Sequence, residues 1–301
     1  MNKISPWIKT FRLRTLPLAF SCIIMGSALA YSDGRMNFLV LILALLTTLF
    51  LQILSNIAND YGDGIKGTDN NNRVGPERAI QSGEISVKNM KRLIILFIFL
   101  SLAAGITLII FGLKNLPVYI LIIFLLIGIF AIISAVKYTV GKIAYGYHGF
   151  GDLFVLIFFG IVGVIGSYYL HTHSFKLELL LPAFSLGFLS VGVLNLNNMR
   201  DRNSDKLSGK ITIAVILGDY KARIYHGILL ILSIIFALIF VIINYRSIYQ
   251  FGFLLVTPLI LSNIITVLKS DDPGIFDKLL MKLALSTFIF SILFGIGINI
   301  V

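Results

Sequence analysis

The stretch NIANDYGDGIKGTDN, residues 56–70, follows directly on the apolar run NFLVLILALLTTLFLQILS. Three carboxylates, Asp60, Asp63 and Asp69, therefore stand at the mouth of a segment suited to lipid. The pattern returns at residues 197–205, where NNMRDRNSD follows a second apolar run. Asn56, Asp60 and Asp63 are spaced i, i+4, i+7. At about 100° per residue they fall within about 60° on one helix face. Asn197, Asp201 and Asp205 are spaced i, i+4, i+8 and span about 80° by the same rule. Each set projects a ladder of oxygens from a helix C-terminus, where the macrodipole is negative and carboxylates are poorly placed. Two facing ladders repel unless a cation lies between them. Hard oxygen donors suit Mg²⁺, which keeps several waters and is usually completed by substrate phosphate oxygens. One such cluster alone reads as solvated loop charge. Two clusters with the same Asn-x-x-x-Asp start, at equivalent places, read as a site.

Outward from these stretches, the chain of 301 residues is 57% hydrophobic and 13% charged, with a mean hydropathy of +0.94. A soluble domain carries about a quarter charged residues, so lipid is the solvent this composition requires. A helix needs about 20 mostly apolar residues to cross the hydrocarbon core. Nine segments qualify, at roughly 15–32, 37–59, 93–113, 115–136, 153–170, 179–199, 224–245, 247–268 and 283–301, and none holds Asp, Glu, Lys or Arg. Their apolar residues run continuously, without the alternation of a membrane barrel, and backbone in lipid must satisfy its own hydrogen bonds. The expectation is an all-α polytopic membrane protein of nine transmembrane helices. It forms one membrane domain over 1–301, with two elaborated loops at 60–92 and 200–223.

With the N-terminus placed inside the cell, 21 of the 25 Lys and Arg residues fall on the cytoplasmic side. That satisfies the positive-inside rule and explains the net charge of +11 without nucleic acid. The expected location is the plasma membrane, with the ladders facing the cytoplasm. Twelve of the fourteen acids fall on that same side, which topogenesis does not require. Residues 1–30 resemble a secretory signal ending in Ala28-Leu29-Ala30, yet the first apolar run is long enough to span, so the expectation is an uncleaved first helix. The single cysteine, Cys22, allows no intrachain disulfide and reads as a small packed hydrophobe.

Basic residues surround the ladders: Lys66, Arg73 and Arg78 after the first, Arg202, Lys206 and Lys210 after the second, and Lys137 after the fourth span. Acids for metal and bases for phosphate oxygens on one face describe a metal–diphosphate site. Gly62, Gly64 and Gly67 could bring backbone to an anion or make the turn.

The motifs NIANDYGDGIKGTD, RVGPERAIQSGEIS and NLNNMRDRNSDKLSGKITIAVILG, with KYTVGKIAYGYHGFGDLFVLIFFG between them, resemble the UbiA superfamily of intramembrane prenyltransferases. The nearest branch is the one that prenylates 1,4-dihydroxy-2-naphthoate. FRLRTLPLAF near the start and DDPGIFDKLLMKLALSTFIFSILFG near the end match as well, while Ala144 and Phe150 depart from the pattern. The resemblance implies nine helices around a central cavity, Mg²⁺, a polyprenyl diphosphate and a small aromatic acid. It implies that Asn56, Asp60, Asp63, Asn197, Asp201 and Asp205 hold metal and diphosphate. Lys137, Arg73, Arg78 and Lys206 are then diphosphate contacts, Arg14 the partner of the acceptor's carboxylate, and Tyr138, Tyr145 and Tyr147 the lining of the reacting centre.

His171 and His173 form an outer-loop pair with too few ligands for a metal site, and Asp152 reads as a complement to a helix N-terminus. A cation-coupled transporter places ionisable groups near the midplane, whereas all nine spans lack them. A CDP-alcohol phosphotransferase carries an Asp-Gly-x-x-Ala-Arg signature that is absent here. A 4-hydroxybenzoate prenyltransferase of the same superfamily remains the alternative.

Overall fold

The computed structural model describes residues 6–68, 74–75, 77–270 and 272–300. Among these the chain is all-α, apart from an isolated parallel bridge between His148 and Ile211. Among the described residues, nine helices are long and apolar enough to cross a membrane. They are α1 Pro6–Ser32, α2 Phe38–Lys66, α3 Val87–Gly112, α4 Val118–Lys137, α5 Gly151–Thr172, α6 Leu177–Leu207, α7 Ile213–Ile243, α8 Ile248–Lys269 and α9 Pro273–Asn299.

Several helices outrun the apolar segments that announce them. The segments at 37–59, 179–199, 224–245 and 283–301 become Phe38–Lys66, Leu177–Leu207, Ile213–Ile243 and Pro273–Asn299. Hydropathy registers only the part of a helix at membrane depth, and the polar turns beyond it carry the site. Four helices are also irregular. α1 breaks at Arg12, whose φ is 48°, α5 passes through a π-helical stretch over Leu156–Gly166, α7 kinks at Gly218, and α8 opens as a 3-10 helix over Ile248–Val256.

α6 is the central element. It packs along α7, α9 and the π stretch of α5, while α9 also packs against α1. Ala183, Leu186, Leu189 and Leu196 of α6 are fully buried. α2 packs on α3 through Ile53, Leu54, Ile57, Met90 and Phe97. α4 lies at the rim, with Leu126 and Phe130 at least half exposed, a face that water does not tolerate and lipid does.

At the end remote from the acid ladders, polar ties close the bundle. His171 Nε2 bonds Ser27 Oγ at 2.9 Å, its Nδ1 accepts from the Asn37 amide at 3.2 Å, and His173 Nε2 meets the Gly112 carbonyl at 2.7 Å. The His-Thr-His pair is thus structural. Asp33 accepts from Tyr168 and Lys176, joining α1 to α5 and to the segment before α6.

Candidate active site

α2 and α6 stop in the same way. Gly67 takes a φ of 70° and Gly209 a φ of 74°, left-handed values that cost an L-residue about 1–2 kcal/mol. After each glycine the chain turns back onto the last aspartate of the ladder. The Thr68 amide donates to the Asp63 carbonyl at 3.0 Å, and the Lys210 amide to the Asp205 carbonyl at 2.8 Å. These are the six-to-one bonds of a Schellman ending. The internal repeat legible in the sequence is therefore a repeat of backbone geometry, and it fixes both ladders relative to their helix ends.

Asp60, Asp63, Asp201 and Asp205 are all buried, at 2%, 6%, 6% and 2% exposure. A buried carboxylate persists as an anion only when paired, and each of the four has a cationic partner. Asp60 pairs with Arg12 and Arg78. Asp201 is gripped by Arg200, whose Nε and second amino nitrogen donate to its two oxygens at 2.9 and 2.6 Å. The Arg200 guanidinium also donates to Asn197 Oδ1 at 2.8 Å and to Asp277 of α9 at 2.5 Å.

Asp63 and Asp205 share one cation. Lys210 Nζ lies 3.7 Å from Asp63 Oδ2 and 3.5 Å from Asp205 Oδ1. The two ladders therefore do face each other, and a lysine ammonium lies between them. Burial disfavours the Lys210 charge, but Asp63 and Asp205 more than reverse this and hold the ammonium above the ordinary lysine range. Tyr147 completes the cluster. Its hydroxyl donates to Asp63 Oδ1 at 2.8 Å and lies 2.6 Å from Thr68 Oγ1. Lys66 Nζ sits 3.7 Å above the Tyr147 ring, a cation–π distance. Burial, and then the Asp63 charge, push the Tyr147 phenol above its usual range.

The other residues singled out from the sequence divide. Asn56 is buried and spends its amide nitrogen on the Phe11 carbonyl at 2.9 Å and Thr15 Oγ1 at 3.1 Å, anchoring α1 to α2. Arg14 reaches Asp277 at 3.4 Å, which ties it to the Arg200–Asp201 side of the site. Tyr138 stands edge-on to Tyr145, their centroids 5.3 Å apart, and burial pushes its phenol upward. Tyr145 turns away, giving its hydroxyl to the Ser134 carbonyl at 3.0 Å and stacking on Phe154 at 4.0 Å. Lys137 and Lys206 are exposed, Lys137 lying back against Gly141 of its own loop. Arg73 and Asp69 lie outside the described residues. Gly67 makes the turn, whereas Gly62 and Gly64 make room for Thr139 and Ile80, since a Cβ there would meet them at 2.4 and 2.9 Å. Asp152, at the start of α5, accepts from the Tyr225 hydroxyl at 2.9 Å.

The sequence reading missed Arg12, Arg200 and Asp277, and named Lys210 only as one of the loop's basic residues. Arg12 carries a backbone signal, a non-glycine residue with positive φ, but only coordinates reveal it. Arg200 lies inside the second motif beside Asp201, so adjacency was its one visible cue.

Among the described residues, no three His, Cys, Asp or Glu side chains converge as a ready-made metal cage. The donor chemistry nevertheless fits a hard divalent ion. Asp205 Oδ2 is fully buried and has no hydrogen-bond partner among the described residues, and the nearest Asp63 and Asp205 oxygens face a lysine ammonium at 3.7 and 3.5 Å. Mg²⁺ commonly takes one or two carboxylates and completes its shell from substrate phosphate and water.

Known proteins resemble this chain from end to end. It is 44% identical over 301 residues to the 1,4-dihydroxy-2-naphthoate octaprenyltransferase of Haemophilus influenzae, covering 99% of this chain and 97% of that protein. It is 41% identical over 298 residues to the enzyme of the same name from Escherichia coli, covering 99% and 96%. In fold it matches the apo structure of a UbiA homolog from Aeropyrum pernix K1, with a TM-score of 0.67 at 15% identity over 97% of both chains. It also matches a UbiA homolog from Archaeoglobus fulgidus bound to DMAPP and Mg²⁺, with a TM-score of 0.59 at 18% identity over 96% and 99%. The model of the UbiA prenyltransferase family matches residues 19–291, and the chain belongs to that family.

Proposed function

We propose that this protein transfers a polyprenyl group from a polyprenyl diphosphate to 1,4-dihydroxy-2-naphthoate, with loss of diphosphate and CO₂, giving demethylmenaquinol. Identity of 44% across nearly the whole of a relative bearing that activity in its name carries the assignment. The buried, facing carboxylates at one end of a membrane bundle supply chemistry suited to it. Mg²⁺, when bound, would be held by Asp60, Asp63, Asp201 and Asp205 with Asn56 and Asn197, and would supply charge that stabilises the diphosphate leaving group. Arg78 and Lys210 are the basic residues best placed to meet phosphate oxygens.

The allylic C–O bond breaks toward diphosphate, a ring carbon of the electron-rich acceptor forms the new C–C bond, and the ring–carboxylate bond breaks to release CO₂, its electron pair restoring the aromatic ring. The Tyr138 ring, and the Tyr147 face that Lys66 does not cover, stabilise the cationic centre by roughly 0.5–2 kcal/mol each. Burial keeps water from quenching it. Arg14 is proposed to receive the acceptor carboxylate, and its place beside Asp277 and Arg200 puts that acid near the second ladder. The prenyl tail lies in the bilayer while its diphosphate stays at the polar end. The charge pattern supports a plasma-membrane location with this end facing the cytoplasm, and the chain works as one membrane domain. Purified protein, Mg²⁺, prenyl diphosphates of several lengths and both 1,4-dihydroxy-2-naphthoate and 4-hydroxybenzoate test the reading. Product mass should show the decarboxylated naphthalenediol adduct. A 4-hydroxybenzoate adduct alone would overturn it.

A further inference from the structure

Lys210 differs from the other cations of the site in how it is held. Arg200 grips Asp201 with two bonds of 2.6 and 2.9 Å, whereas Lys210 stands 3.5 and 3.7 Å from its two carboxylates. One Asp205 oxygen beside it has no hydrogen bond among the described residues. Its backbone, by contrast, is fixed. Gly209 sets the turn, the Lys210 amide is bonded to Asp205, and the Ile211 amide donates to the Tyr147 carbonyl at 3.1 Å. The Tyr147 ring centroid lies 5.5 Å from Nζ. A fixed root with a loosely paired tip describes a side chain that can swing. The space it fills is where two acids from opposite ladders come together, and two carboxylates sharing a buried space cannot both ionise without a cation.

We propose that Lys210 is a tethered competitor of the metal: its ammonium, held between Asp63 and Asp205, gives way to metal at those oxygens and passes to the phosphate oxygens when metal and diphosphate bind. Lys210 is then a positioning residue that holds Asp63 of α2 and Asp205 of α6 at working separation. The inference rests on the metal–diphosphate reading above. Because the lysine and the metal compete for the same oxygens, removing the lysine should strengthen binding of metal alone and weaken binding of the diphosphate.

The test uses purified full-length protein in detergent, with Mn²⁺ binding followed by electron paramagnetic resonance in the absence of diphosphate. Thermal unfolding is followed with a thiol-reactive dye, for which buried Cys22 is a built-in reporter. Lys210→Met should bind Mn²⁺ about tenfold more tightly than wild type. In chelator it should unfold about 5 °C lower, with Mg²⁺ restoring most of the difference, and its KM for prenyl diphosphate should rise. Lys221→Met, an exposed charge-matched control, should leave Mn²⁺ affinity unchanged. Equal Mn²⁺ affinity and equal chelator stability in Lys210→Met and wild type would overturn the inference while prenyl transfer by wild type leaves the broader reading standing. Absence of both Mn²⁺ binding and transfer in wild type would instead sink the broader reading. If Lys210→Met does not accumulate, Lys210→Gln is compared in its place. Failure of both variants with and without Mg²⁺ alike counts against the proposal, and rescue by Mg²⁺ supports it.

Discussion

Asp277→Ala removes a residue that belongs to neither ladder, yet the geometry ties it to the second one. The Arg200 side chain is 2% exposed and has two carboxylate partners, Asp201 at 2.6 Å and Asp277 at 2.5 Å. A hydrogen bond to a charged group contributes about 1.5–3 kcal/mol when its partner is lost in a buried setting. The Asp277 side chain is 25% exposed, so water recovers part of that, and about 1.4 kcal/mol is the working value, a tenfold effect. With Asp277 gone, the guanidinium leans wholly on Asp201 and Asn197 and competes harder for their oxygens. The loss should therefore fall on the Mg²⁺ concentration needed for half-maximal rate, raised about tenfold, with the rate at saturating Mg²⁺ changed much less. Initial rates of prenyl transfer over a Mg²⁺ series, on wild type, Asp277→Ala and Asp277→Glu, make the comparison, and Asp277→Glu should recover most of the difference. An unchanged Mg²⁺ requirement in Asp277→Ala would refute the coupling, as would a drop in maximal rate with no shift in it.

Asp60→Ala and Asp201→Ala should each lower transfer by about 100-fold or more without unfolding the protein, and size-exclusion profiles beside rates check both points. Tyr147→Phe should cost more activity than Tyr145→Phe, because only the Tyr147 hydroxyl bonds Asp63, and side-by-side kcat/KM values decide it. Gly209→Ala should lower the melting temperature by about 2–4 °C, since none of the described residues crowds a Cβ there and backbone strain opposes it. Arg14→Ala should raise KM for the aromatic acid more than KM for the prenyl diphosphate, and equal changes would remove its proposed role.

The nine spans and the two oxygen ladders were legible in the sequence because both rest on local pattern. Unbroken apolar runs of about 20 residues admit one reading in lipid, and spacings of four, seven and eight fix a helix face whatever the tertiary fold. The partners of the acids were not legible. Lys and Arg gather near span ends for topological reasons, so position alone did not set Lys210 apart, and the resemblance pointed to Lys206 and Lys137 instead. What separates them is the left-handed turn at Gly209, which sends Lys210 inward, while Lys206 stays on the exposed side of α6. Arg12 was hidden for a related reason: Pro17 of FRLRTLP marks a helix start, but nothing in the motif places the left-handed backbone at Arg12 that sets its aim. The π-helical stretch of α5 was invisible because a wholly apolar run carries no periodicity that distinguishes its registers.

The most direct test is a structure of the full-length protein with Mn²⁺ and an unreactive prenyl diphosphate analogue, read by the anomalous signal of the metal. Peaks between the ends of α2 and α6, within ligand distance of the Asp63 or Asp205 carboxylates and of phosphate oxygens, are the expected result. Metal and diphosphate bound elsewhere on the bundle, with Lys210 still seated between the two aspartates, would contradict the account.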